Sequence, residues 1–315
     1  MHMTCVTEEN YTMFSSFRQW HLTSMPTSSI MVSMNKLTTD KRVAVVKALC
    51  EGVSIRGTVR LTGASKNTIT KLLVELGCAC TEYQDKALRN LPCRRLQLDE
   101  IWSFCGMKSK NVPEEKKGIF GFGDVWTWTA ICADTKLVPS WLVSTRDGTA
   151  AKAFVGDLAN RLAHRVQITS DGHKAYLEAM ETHFGWEVDY AMLVKIYGPE
   201  TEGEQKKYSP AQCVGCERHV IMGNPDMDEV STSFAERQNL TMRMQMRRFT
   251  RLTNAHSKKI ENHVHAIALY FMYYNFARVH MTLRSTPAMK AGVADHLWSV
   301  EEIVGLLDNS RKNSN

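Results

Sequence analysis

No run in this 315-residue chain approaches the ~18–20 uninterrupted apolar residues of a membrane span, which argues against an integral membrane protein. There is no disulfide framework either. The nine cysteines are odd in number and irregularly spaced (5, 50, 78, 80, 93, 105, 132, 213, 216), in a chain long enough to build its own core. A basic start leading into an apolar stretch and a small-residue cleavage site is missing, so no secretory signal is read. A reducing, cytoplasmic and nucleoid-associated setting is expected. Charge of one sign does not dominate: Lys+Arg number 39 against 33 Asp+Glu, a net +6 that matters only where it is clustered.

The first 33 residues hold three charged side chains (Glu8, Glu9, Arg18) and no sustained period. Residues 1–33 therefore read as a disordered extension ahead of a start at Met34. From Asn35 the pattern sharpens. Thr39-Asp40 caps a helix with Val43, Val46, Ala48 and Leu49 at helical spacing, ending at Glu51-Gly52. Ser54 caps Ile55–Leu61, Gly63 turns the chain, and Ser65 caps Lys66–Leu76, stopped by Gly77. With Val59, Ile69 and Leu72 inward, residues 34–77 read as a helix-turn-helix. Lys66, Asn67, Thr68, Thr70 and Lys71 then face outward as a recognition surface for a major groove. Eight Lys/Arg against three Asp/Glu in this segment agree with an anionic partner.

Residues 78–95 read as a linker. Beyond it, strand-like text at Leu96–Asp99, Asp124–Cys132 and Leu137–Thr145 precedes a helix at Thr149–Leu162. A strand at Val166–Thr169, a helix at Ala175–Phe184 and a strand at Val188–Ile196 follow. Three adjacent strands, then helix, strand, helix, strand describe an α/β sheet with an antiparallel start.

The chemistry begins with a repeated arrangement. Leu96-Gln97-Leu98-Asp99 and Val166-Gln167-Ile168-Thr169-Ser170-Asp171 are alternating strands that each end in an aspartate opposite the apolar positions. Two carboxylates converging on one side of a sheet are hard oxygen ligands of the kind Mg²⁺ prefers. Glu236, in the first turn of the helix that follows Ser231 or Ser233, is the candidate third carboxylate, with Arg243 two turns further on the same face. Between Arg237 and Ile260 stand seven Lys/Arg and no acid, among them Arg243, Arg247, Arg248 and Arg251. Interleaved with Phe249 and aliphatic residues, they read as a surface that tracks a nucleic-acid backbone. Lys174 and His173 follow Asp171 closely enough to serve a phosphate.

The stretches LQLDEIWSF, ITSDGHKAYLEA, DYAMLVKIYG, STSFAERQNLTMRM, RRFTRLTN and YNFARVHMTLRSTPAM resemble bacterial insertion-sequence transposases with a DDE triad, most of all the insertion-sequence-one type. The resemblance runs from about Asn35 to Val304. It implies a ribonuclease-H-like mixed sheet flanked by helices after a small all-α helix-turn-helix domain, with the catalytic domain over residues 96–280 and a C-terminal tail over 281–315. It also implies DNA transposition, with Asp99, Asp171 and Glu236 as catalytic and metal-binding residues, Mg²⁺ or Mn²⁺ as cofactor, and Arg243 as the basic residue after the glutamate. Double-stranded DNA, both terminal inverted repeats and target, is the implied partner, bound by a homo-oligomer. An insert around 198–230 departs from the compact pattern and reads as a surface loop. Its Cys213, Cys216 and His219 fall short of the four ligands of a structural zinc site, so no zinc is expected. A site-specific nuclease without strand transfer, and a domesticated DNA-binding regulator, are the rival readings.

Overall fold

Six strands form one mixed sheet: β1 (Arg95–Cys105), β2 (Gly123–Cys132), β3 (Trp141–Ser144), β4 (Val166–Asp171), β5 (Val188–Tyr197) and β6 (Cys213–Met222). Their order across the sheet is β3-β2-β1-β4-β5-β6. β1, β2 and β3 pair antiparallel, β1–β4 and β4–β5 pair parallel, and β6 returns antiparallel to β5. The computed structural model describes residues 37–198, 213–250 and 254–312. The expected extension over residues 1–33 and Arg251 lie outside the described residues.

Nine helices are described: α1 (Thr39–Cys50), α2 (Ile55–Thr62), α3 (Lys66–Ala87), α4 (Gly148–Ala159), α5 (Ala175–Phe184), α6 (Ser233–Gln245), α7 (Ile260–Met272), α8 (Pro287–Lys290) and α9 (Val300–Lys312). The period-2 side chains of the sheet divide between two helical layers. On one face, Trp128 meets Phe154 of α4 and Tyr176 of α5. On the other, Ile101 and Val125 share a core with Ala235 and Met242 of α6 and with Ile267 and Phe271 of α7. Parallel strands need crossovers, and α4 and α5 supply them between β3 and β4 and between β4 and β5. This mixed sheet between helical layers is consistent with the ribonuclease-H-like fold that the resemblance implies.

The caps are where local chemistry puts them. Ser54 Oγ accepts from the Gly57 amide (3.0 Å) and Ser65 Oγ from the Thr68 amide (3.2 Å). Gly63 turns between α2 and α3 at φ +69°, a left-handed conformation that costs glycine little. Val59 departs from expectation: it is half-buried, while Gly57 and Thr58 are buried.

Three larger departures concern what lies between the expected elements. Gly77 does not stop α3, which runs on to Ala87, so the first ten residues of the expected 78–95 linker are helical. The glycine is there for α7: a Cβ at position 77 would stand 2.4 Å from His265 Cβ. The expected surface loop at 198–230 contains β6, a ten-residue edge strand held by its ladder to β5. The expected tail at 281–315 contains α8 and α9, and α9 packs on α1 and α3, with Lys47 paired to Glu301 at 2.9 Å. The third strand is also shorter than Leu137–Thr145, starting only at Trp141.

Candidate active site

Asp171 closes β4 as expected, but Asp99 sits mid-strand: β1 does not end at the aspartate and runs on to Cys105, because its ladder to β2 continues through Cys105. Because the β1–β4 register sets Leu98 opposite Ser170, the two aspartates follow one another across adjacent parallel strands. Asp99 is held by a backbone and a side-chain donor, Asp171 by a backbone donor. Asp99 Oδ1 accepts from the Glu100 amide (2.8 Å) and Oδ2 from Asn239 Nδ2 on α6 (2.8 Å). Asp171 Oδ1 accepts from the His173 amide (3.0 Å), so the chain turns sharply around the carboxylate at Gly172.

Glu100 joins them. Although it follows Asp99 and points to the opposite face of β1, the end of β4 lets Asp171 reach both. One carboxylate oxygen from each of Asp99, Glu100 and Asp171 falls within a 4.8 Å group. The Glu100 side chain is fully buried; Oε1 accepts from the Tyr176 hydroxyl and Oε2 from Arg146 Nε (3.1 Å).

Glu236 stands across the same cavity, in the first turn of α6 as expected. Thr232, not Ser231 or Ser233, occupies the cap position, and its hydroxyl donates to Glu236 Oε1 (2.5 Å). Lys195 of β5 holds the same oxygen at 2.5 Å. Asp99, Asp171 and Glu236 thus line one cavity of about 650 Å³ together with Arg146, His173, Lys174 and Lys195.

The electrostatics of the cluster are those of crowded acids. Burial, then the Asp171 charge, pushes Asp99 up to about 6. Burial and the same neighbour push Glu100 up to about 7, against the opposing pull of Tyr176 and Arg146. Such a group is short of positive charge. Three hard oxygens close together, a fourth carboxylate across the cavity and raised proton affinity form a donor set that fits a divalent metal ion. The buried Nε2 of His173, whose ring stacks on Trp128, has no hydrogen-bond partner among the described residues.

The expected DNA-contact residues fall into separate groups. Lys66, Asn67 and Lys71 are exposed on the first turns of α3. Thr68 and Thr70 are half-buried, with hydroxyls engaged by Ser65 Oγ and the Lys66 carbonyl. Lys174 is exposed at the cavity. Arg243 is half-buried on α6 and Arg247 is exposed. Arg248 departs from the outward basic surface: its guanidinium donates to Ser257 Oγ (2.8 Å), and burial lowers it to about 10. Cys213 and Cys216 lie on β6 with their sulfurs 3.8 Å apart, and His219 pairs with Glu217.

Glu100, Asn239, Lys195 and Arg146 were not legible as site residues. Asn239 carried the one usable signal, since it lies three positions after Glu236 on the same helix face. Glu100 adjoins Asp99 but points to the opposite face of β1, while Lys195 on β5 and Arg146 in the turn before α4 reach the site only through the tertiary fold.

No family model and no curated protein sequence matches the chain. Among solved structures, it is similar to a piggyBac transposase synaptic complex with hairpin DNA (13% identity, TM-score 0.40), over 98% of this chain and 80% of that one. It is also similar to the Mos1 strand transfer complex (13% identity, TM-score 0.20), over 59% of this chain and 67% of that one. A Mos1 mariner paired end complex with Mn is matched at 11% identity and TM-score 0.20, over 59% and 68% of the two chains.

Proposed function

We propose that the protein is a DNA transposase of the DDE type, cutting and joining the ends of an insertion sequence. The observation that carries this reading is the meeting of Asp99, Asp171 and Glu236 on one cavity, two from adjacent parallel strands and one from a helix packed across the sheet. Asp99 and Asp171 would hold divalent metal ions, Mg²⁺ or Mn²⁺, with Glu100 beside them and Glu236 completing the set from the opposite wall. Metal ions so held supply activation of the attacking hydroxyl and stabilisation of the departing oxygen in an in-line displacement.

The chain's own groups supply the rest. Asn239 and the Glu100 amide hold both oxygens of Asp99, so the carboxylate is oriented before any ligand arrives. Arg146, Lys174 and Lys195 give the cavity a cationic wall for the phosphates flanking the scissile bond. The exposed first turns of α3, with Lys66, Asn67 and Lys71, suit a recognition helix in a major groove, preceded by α2 and the Gly63 turn as in a helix-turn-helix. Arg243 and Arg247 extend the basic surface beyond Glu236. Joining two DNA ends calls for at least two copies on the DNA.

The test is incubation of the full chain with Mg²⁺, labelled DNA ends from the flanks of its gene and a target plasmid. Cleaved and joined products are expected. Asp99→Asn, Asp171→Asn and Glu236→Gln each lower cleavage by at least about a hundred-fold, the loss expected when a metal clamp worth several kcal/mol fails. Cleavage without joining would convert the reading to a site-specific nuclease. Binding with no cleavage would leave a regulator.

A further inference from the structure

The sheet face that carries Glu100 continues outward as a row of aromatic rings that the proposed chemistry does not use. Side chains two apart on a strand share a face, so Trp102 and Phe104 follow Glu100 along β1. Across the antiparallel ladder, Trp128 pairs with Glu100 and Trp126 with Trp102. Trp128 is fully buried and belongs to the core. Trp102, Phe104 and Trp126 are only half-buried.

Contacts run along the row. The Arg146 guanidinium lies 4.7 Å from the centre of the Trp126 ring while its Nε donates to Glu100, so one side chain links the row to the acidic cluster. The Trp102 and Phe104 rings are 5.7 Å apart, and His256 closes the row 4.5 Å from Phe104. Positive charge stands at both ends: Arg146 beside the carboxylates, and Lys258 beside His256, 3.4 Å from its Nδ1. From Glu100 to Phe104 the strand covers ~13 Å.

We propose that Trp126, Trp102 and Phe104 form a stacking platform for unpaired bases of the DNA strand next to the cleaved phosphate. This deepens the transposase reading and rests on it. A duplex keeps its base faces covered, whereas an unpaired strand offers a flat face to a ring and a phosphate to a cation. Half-buried rings with cations at both ends of the row match that pair of demands. A purely structural role would bury these rings as it buries Trp128.

The experiment is fluorescence anisotropy of the full chain with a labelled twelve-nucleotide oligo(dT) in EDTA, beside a labelled duplex of mixed sequence. Trp102→Leu and Trp126→Leu are each expected to weaken oligo(dT) binding about 5- to 100-fold, the range for losing one base–ring stack, with duplex affinity unchanged. Trp102→Phe and Trp126→Phe keep a ring in place and retain oligo(dT) binding. Parental affinity in the Leu variants overturns the platform, as does equal loss in the Leu and Phe variants. Binding without metal separates the two readings. Absent cleavage with ring-dependent oligo(dT) binding refutes the transposase and keeps the platform; cleavage with ring-independent binding does the reverse.

Discussion

Lys195 Nζ of β5 stands 2.5 Å from Glu236 Oε1 of α6, so the carboxylate across the cavity from Asp99 and Asp171 is paired with a lysine of the sheet. Any divalent ion that recruits Glu236 must compete with that ammonium. Lys195→Met is therefore expected to lower the Mn²⁺ concentration for half-maximal binding by about two- to five-fold, the scale of a partly exposed ion pair. Isothermal titration of the DNA-free protein measures it, and an unchanged or weaker Mn²⁺ affinity refutes the competition.

The acidic cluster makes the metal-free protein sensitive to neutral pH. Asp99 is raised to about 6 and Glu100 to about 7 by burial and by the Asp171 charge. The folded state binds these protons more tightly than the unfolded one, so the stability they contribute is full below about pH 4 and is lost as pH rises through 6 and 7. For Asp99 alone the loss is on the order of 2–3 kcal/mol. Unfolding in EDTA at pH 4.5 and 7.5 should show a smaller pH-dependent loss in Asp99→Asn than in the parent. Added Mg²⁺ should raise the melting temperature more at pH 7.5 than at pH 5. Identical pH dependence in the variant would remove Asp99 as the source.

His263 acts in the opposite direction. It is buried between β1 and the segment before α7, with Nδ1 2.9 Å from Ser257 Oγ and Nε2 3.2 Å from Ser103 Oγ. Burial, then the charge of Arg248, lowers it to about 3. The unfolded chain takes up this proton near pH 6.5 and the folded one does not. Its contribution is therefore complete above that pH and is lost as pH falls toward 3. His263→Gln should lower stability at pH 7.5 and reduce the slope between pH 6.5 and 4, measured by urea unfolding. A slope equal to the parent's would reject His263 as the acid-sensitive group.

Gly77→Ala distinguishes a helix end from a packing contact. In an ordinary helix interior the change would stabilise by about 1 kcal/mol. Here the new Cβ meets His265 Cβ at 2.4 Å and Cα at 2.7 Å. Forcing α3 and α7 apart costs typically 1–3 kcal/mol, so the expected net effect is a lower melting temperature. A variant more stable than the parent would contradict the close approach.

Much of the fold was legible because its signals are local. Strand alternation located β1 and β4, strand-like composition located β2 and β5, and the serine caps and Gly63 located the starts of α2 and α3. The misplaced parts share a cause: Gly77, the segment 78–87, β6 and α9 take their structure from partners far along the chain. A glycine reads as a stop until the helix packed on it is known. β6 is exposed along nearly its whole length, so it carries no apolar alternation to announce it.

By itself, the sequence determined that Asp99 lies on a strand, that Asp171 ends one and that Glu236 opens a helix, since those placements depend on residues within one or two turns. Asp99, Asp171 and Glu236 were nameable on that basis. Only the tertiary structure decided what surrounds them. The β1–β4 register brings Glu100 into the cluster, the packing of α6 on the sheet sets Asn239 against Asp99, and β5 delivers Lys195 to Glu236. These contacts join residues 41 to 140 positions apart or cross the two faces of a strand, and no local period encodes them.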